Sequence, residues 1–129
     1  MIEIDSFYLI ENNNQFSIEV LKKQAGLIGG FGKFRTPDKN EQEQYKNNIA
    51  DTLVSNIWNR EIENLKLKKT EPQDFCLPVP QSDGSNLLLV SSQVVAGMNY
   101  DSIVSIIVNK IGNGIETRYY RVKYFVPLQ

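Results

Sequence analysis

The chain has 129 residues, room for one domain with a hydrophobic core and thin for two. Hydrophobic residues make up 41% and charged residues 22%, as in ordinary soluble globular proteins, and a formal net charge of -1 gives no electrostatic case for nucleic acid or an anionic membrane as partner. No apolar run approaches a membrane span, and the absence of histidine removes Ser-His and Cys-His nucleophilic catalysis together with the commonest zinc ligand.

Residues 2–10 (IEIDSFYLI) alternate apolar and polar at first and are rich in strand formers. They carry acids where a signal peptide would have its positive region, so the start does not read as one; a signal removed upstream is left open. Residues 11–14 (ENNN) are a turn or loop signal, and residues 16–22 (FSIEVLK) a second short strand-like run. Residues 25–34 (AGLIGGFGKF) hold four glycines and read as a flexible or backbone-exposing stretch. The Gly29, Gly30 and Gly32 cluster lacks the lysine pattern of a phosphate-binding loop.

A helix follows. Thr36 can cap it with Pro37 at the first position, or Asn40 can cap it with Glu43 three residues on. Tyr45, Ile49, Leu53 and Ile57 recur every fourth residue, Ala50, Val54 and Trp58 form the adjacent row, and Ile62 and Leu65 extend the stripe. The pattern predicts one amphipathic helix of roughly twenty-five residues, which needs a broad apolar partner such as a curved antiparallel sheet. Lys66, Lys68 and Lys69 suit its C-terminal end.

Residues 66–86 read as a loop with a short edge strand near residues 75–77. Residues 87–96 are a strand, Gly97, Met98 and Asn99 a turn, and residues 100–108 a second strand. Gly112, Asn113 and Gly114 are a hairpin signal, and residues 115–126 a third strand. Tyr119, Tyr120, Tyr124 and Phe125 fit sheet packing better than base stacking. The lone Cys76 cannot form an internal disulfide and reads as inert. One cysteine slightly favours the cytoplasm, and secretion stays open if a signal was removed.

Gln93, Val94, Val95, Ala96 and Gly97, followed by Met98, Asn99 and Tyr100, resemble the QxVxG hairpin of the cystatin superfamily, the stefins especially. Upstream of the helix, Leu27, Ile28, Gly29 and Gly30 resemble the N-terminal trunk of that family; downstream, Val126, Pro127, Leu128 and Gln129 are similar to its second hairpin. The resemblance covers residues 25–129, with residues 66–86 as an elongated loop. It implies a cystatin-like α+β fold, one long helix wrapped by a curved antiparallel sheet. It also implies a reversible, non-covalent inhibitor of papain-like cysteine proteases, neither an enzyme nor a cofactor binder. Trunk and hairpins would form a wedge entering the protease cleft. Leu27 and Ile28 would fill the non-primed subsites, Val94, Val95 and Ala96 would lie close to the cleft walls, and Gly97 would permit φ > 0 and close backbone approach.

The sequence departs from the family in two places. Leu128 stands where the second hairpin usually has tryptophan, so that element should bind more weakly. Nothing after it supplies the family's final strand. Joining the termini gives VPLQ followed by MIEIDSFYLIENN, which reads as hairpin, strand and polar end. The expectation is therefore a single domain, 1–129, that is circularly permuted or cut from a tandem array: residues 1–11 as the final strand, 12–24 as a linker or extra strand, and 25–129 as trunk, helix and main sheet. Residues 2–10 should then pair antiparallel with residues 115–126. An added N-terminal hairpin on an incomplete sheet is the plainer alternative. A strand-swapped homodimer is compatible with such an arrangement. The competing function is a cystatin-fold interaction or assembly module without inhibition, favoured by the altered second hairpin and tethered trunk. An enzyme of another sheet-around-helix fold would need a deep polar pocket.

Overall fold

A computed structural model of the chain describes residues 2–10, 31–79, 84–112 and 114–128. In chain order the elements are β1 (Glu3–Leu9), α1 (Lys39–Asn48), α2 (Ala50–Lys66), a 3-10 turn (Pro72–Asp74), β2 (Cys76–Pro78), β3 (Ser85–Val95), β4 (Gly97–Lys110) and β5 (Gly114–Pro127). The strands form one curled antiparallel sheet with the helices against one face, an α+β arrangement.

The sheet grows from two consecutive hairpins. β4 pairs with β5 from Gly97↔Pro127 to Lys110↔Gly114, and β3 returns along the other edge of β4 from Ser85↔Ile106 to Val95↔Gly97. β2 takes the rest of that edge, Cys76↔Lys110 to Pro78↔Val108. β1 closes the far side by pairing antiparallel with β5, from Glu3↔Phe125 to Leu9↔Tyr120, as the joined termini predict.

Period-two alternation along β5 places Tyr120, Val122 and Tyr124 against the helices. Two bulges re-phase that alternation. In β1, Asp5 is the extra residue between Ile4 and Ser6, so Ile2, Ile4 and then Phe7 meet the core; strict parity would have continued with Ser6. In β3, Leu88 is extra between Leu87 and Leu89, so Leu87 and Val90 share the helix side while Leu89 turns to the other. On that opposite side Leu89 packs with Phe34 and Ile103. There the Asp101 carboxylate, 1% exposed, takes two bonds from the Arg121 guanidinium at 2.6 and 2.9 Å. Burying such a charge is tolerated because it is paired.

The helical stripe is buried as predicted from Tyr45 to Ile57, while Ile62 and Leu65, expected to extend it, are only partly buried, and the helix is not single. Tyr45, Ile49, Ala50, Leu53, Val54 and Ile57 are all buried. The helix breaks at Ile49 (φ -122°, ψ -44°) into α1 and α2. The ladder survives the break, with Ile49 N–H donating to Tyr45 O and Leu53 N–H to Ile49 O, so both segments keep their apolar faces on the sheet. No proline or glycine sits there, and Asn47 and Asn48 just before it are poor helix formers.

Neither predicted cap is used. Asp38 caps α1: its Oδ1 accepts from Glu41 N–H at 2.8 Å, and Glu41 Oε1 accepts from Asp38 N–H at 2.9 Å, a reciprocal capping box. Trp58 is only partly buried, and its indole N–H donates to Pro78 O at 2.8 Å, tying α2 to β2. No described helix is long and apolar enough to cross a membrane. The strand-like run at 16–22 and the linker assigned to 12–24 lie outside the described residues.

Candidate functional site

One end of the sheet gathers most of the motif residues. β3 ends at Val95, β4 starts at Gly97, and Ala96 alone makes the bend. The turn expected at Gly97, Met98 and Asn99 therefore falls before all three, at Ala96. Those three residues already belong to β4 and pair with Val95, Val94 and Gln93. A turn this short leaves its side chains little to pack against: Val94 is 80% exposed, Val95 44%, and Ala96 is exposed. The pairing Gly97↔Pro127 brings the end of β5 beside the bend, where Leu128 is 76% exposed. Val94, Val95, Ala96 and Leu128 thus form an apolar rim.

Gly97 is buried, with φ +134°, a conformation L side chains rarely adopt. A Cβ built there would lie 2.5 Å from Val126 O and 2.7 and 2.9 Å from the Phe125 ring. The glycine is thus required by the chain's own packing, a reason local sequence does not reveal. Gln93 is engaged internally as well, its Oε1 accepting from Asn99 Nδ2 at 3.2 Å across the hairpin. Beneath the tip, the Tyr100 and Tyr124 rings stack with centroids 5.1 Å apart.

A third segment approaches the same end. Arg35 and Val90 exchange two backbone bonds of 2.9 Å, and Gly32 N–H donates to Ser92 O at 3.3 Å, so residues 32–35 run antiparallel to β3. Going back along the chain from Arg35 to Gly32 therefore moves towards the rim. Ser91 Oγ donates to Gly32 O at 2.5 Å and fixes the approach. Leu27, Ile28, Gly29 and Gly30 lie outside the described residues.

Arg35, which sequence reasoning passed over, staples this segment. Its guanidinium donates to both Glu41 oxygens at 2.7 and 2.8 Å, and to Ser92 Oγ at 3.4 Å. Hydrogen bonds from Arg35 hold the Glu41 carboxyl below its ordinary value of 4.5, against the opposing effect of burial. One side chain thereby joins the segment, the α1 cap and β3.

A separate cleft of about 680 Å³ lies where α2 meets β1 and β5, lined by Phe7, Ile57, Arg60, Glu61, Arg118 and Tyr120 among others. Its arginines are engaged within the chain. Arg60 stacks on the Phe7 ring and donates to Phe7 O at 2.7 Å, while Arg118 lies 3.8 Å from Glu61 and 3.2 Å from Glu116. Burial raises the Glu61 carboxyl. Cys76 is buried, and burial pushes its thiol up despite the opposing effect of Arg118, which donates to its Sγ at 3.1 Å, so the net environment leaves it poorly set up as a nucleophile. Among the described residues no cluster of His, Cys, Asp or Glu could hold a metal ion.

No protein-family model, no curated protein and no solved structure matches the chain.

Proposed function

We propose that this chain is a cystatin-like, reversible, non-covalent inhibitor of papain-like cysteine proteases, with no catalytic role of its own. The observation that carries the reading is the apolar rim. Val94, Val95 and Ala96 of the QVVAG hairpin stand exposed beside Pro127 and Leu128, at the end that residues 32–35 approach along β3. Such a rim presents branched apolar side chains on a rigid two-stranded support, which suits insertion into a preformed apolar cleft at low ordering cost. In the same reading β1 stands for the final cystatin strand, and the chain is circularly permuted relative to the family. The antiparallel pairing of β1 with β5 supports that placement.

The inhibition constant of the purified chain against papain tests the proposal. Competitive inhibition that is reversed by dilution supports it, and no inhibition at micromolar concentration defeats it. A non-inhibitory interaction module of the same fold is the second reading. It is favoured by Leu128, which offers much less contact surface than the tryptophan usual in the family's second hairpin.

A further inference from the structure

The rim has two parts on different strands: the β3–β4 bend, and residues 127–128 beyond the ladder of β5. Among the described residues the 32–35 segment makes no bond to β3 past Ser92, and Val94 and Val95 pair across to Met98 and Gly97 of β4. The tip therefore depends on what supports β4 at its first residue. On the helix side the support is Met98 and Val126, packed on the core above the stacked Tyr100 and Tyr124. On the opposite side, alternation places Gln93, Asn99 and Phe125 together. The Phe125 ring does not stay opposite its partner Asn99. It reaches diagonally to Gly97, occupying the volume that a side chain would take there.

We infer that Phe125 is a positioning residue that locks the two parts of the rim into one body. It sits two residues before Pro127 and contacts the first residue of β4. The same ring thus fixes the height of the β3–β4 bend relative to Pro127 and Leu128. Glycine at 97 and phenylalanine at 125 are complementary: the empty side-chain position on one strand is the seat for the ring of the other. The value of this to binding rests on the inhibitory reading, because a wedge ordered before it meets its cleft loses less entropy on insertion. The mechanical role does not rest on it.

The experiment is amide hydrogen exchange on the free protein, read beside papain inhibition, for wild type, Phe125→Ala and Phe125→Tyr. In Phe125→Ala the amides of residues 94–99 should exchange about tenfold faster while those of residues 103–108 keep their wild-type protection, because the loss is local. The inhibition constant should weaken by about tenfold, and Phe125→Tyr, which keeps the ring, should restore both readouts. Unchanged exchange at 94–99 in Phe125→Ala overturns the inference. So does a uniform rise that includes 103–108, since Phe125 would then be a general core residue. If wild type fails to inhibit while Phe125→Ala still loosens the tip selectively, the positioning role stands and the inhibitor reading falls.

Discussion

Replacing Val94 by alanine removes two methyl groups from a side chain that is 80% exposed. Each buried methylene-sized group contributes about 0.8 kcal/mol, so burying both in a partner would contribute about 1.6 kcal/mol. Scaling by the 80% still open to a partner leaves about 1.3 kcal/mol, roughly tenfold in affinity. The same exposure means that the substitution removes almost no packing from the folded chain, so its thermal midpoint should not move. Ile115→Ala is the matched control, because Ile115 is 69% exposed but pairs with Asn109, at the opposite end of the β4–β5 ladder from Gly97 and Pro127. The assay is the inhibition constant against papain for wild type and both variants, with thermal unfolding followed by circular dichroism. Val94→Ala should inhibit about tenfold more weakly and Ile115→Ala as well as wild type, both at wild-type stability. Equal losses in the two variants would show that the contact is not at the rim, and undiminished inhibition by Val94→Ala would remove the hairpin from it.

Gly97→Ala should behave differently. It forces a side chain onto φ +134° and into Val126 O, so folding stability falls with inhibition, by at least the roughly 1–3 kcal/mol of a strained backbone, and an unchanged denaturation midpoint would contradict the close approach of β5. Glu61→Gln should raise the thermal midpoint at neutral pH, because burial raises that carboxyl and its ionised form is the costly one in the folded state. The gain should fade as pH falls through the raised folded value towards the ordinary 4.5 and be gone below it, where folded and unfolded chains both hold the proton; a gain that persists there would assign the effect to something other than charge. Tyr45 and Tyr100 are each pushed up from 10.0 to about 12, chiefly by burial, so the stability they contribute is complete below pH 10 and lost as pH rises towards 12. Phenolate absorbance should therefore rise together with loss of sheet signal in that window; full titration near pH 10 with the sheet intact would refute it.

The strands were legible because alternation and turn chemistry are local, and the pairing of residues 2–10 with 115–126 followed from joining the two ends of the sequence. What remained hidden depends on partners distant in sequence. The Asp5 and Leu88 bulges appear only when each strand is counted against its neighbour. Thr36, Asp38 and Asn40 are all fair caps locally, and Asp38 is favoured because its partner Glu41 is also held by Arg35. Gly97 attracted the turn assignment as a glycine near a hairpin, but its glycine is needed because β5 approaches it from the side. Phe125 has the parity of a surface position, and nothing local marks it as the filler of the space above Gly97.

The motif resolves into two sets of residues with different physical explanations. Gln93 bonds Asn99 across the hairpin, and Gly97 makes room for Phe125 and the Val126 carbonyl. Those two positions follow from folding the hairpin against β5 and would be selected in any protein with this packing, whatever it bound. Val94, Val95 and Ala96 are exposed, so packing among the described residues constrains their chemistry far less. They are thus the motif residues left open to a partner, whereas its glutamine and glycine are engaged within the fold. Variants at Gly97 report on folding first and binding second, whereas variants at Val94 separate the two.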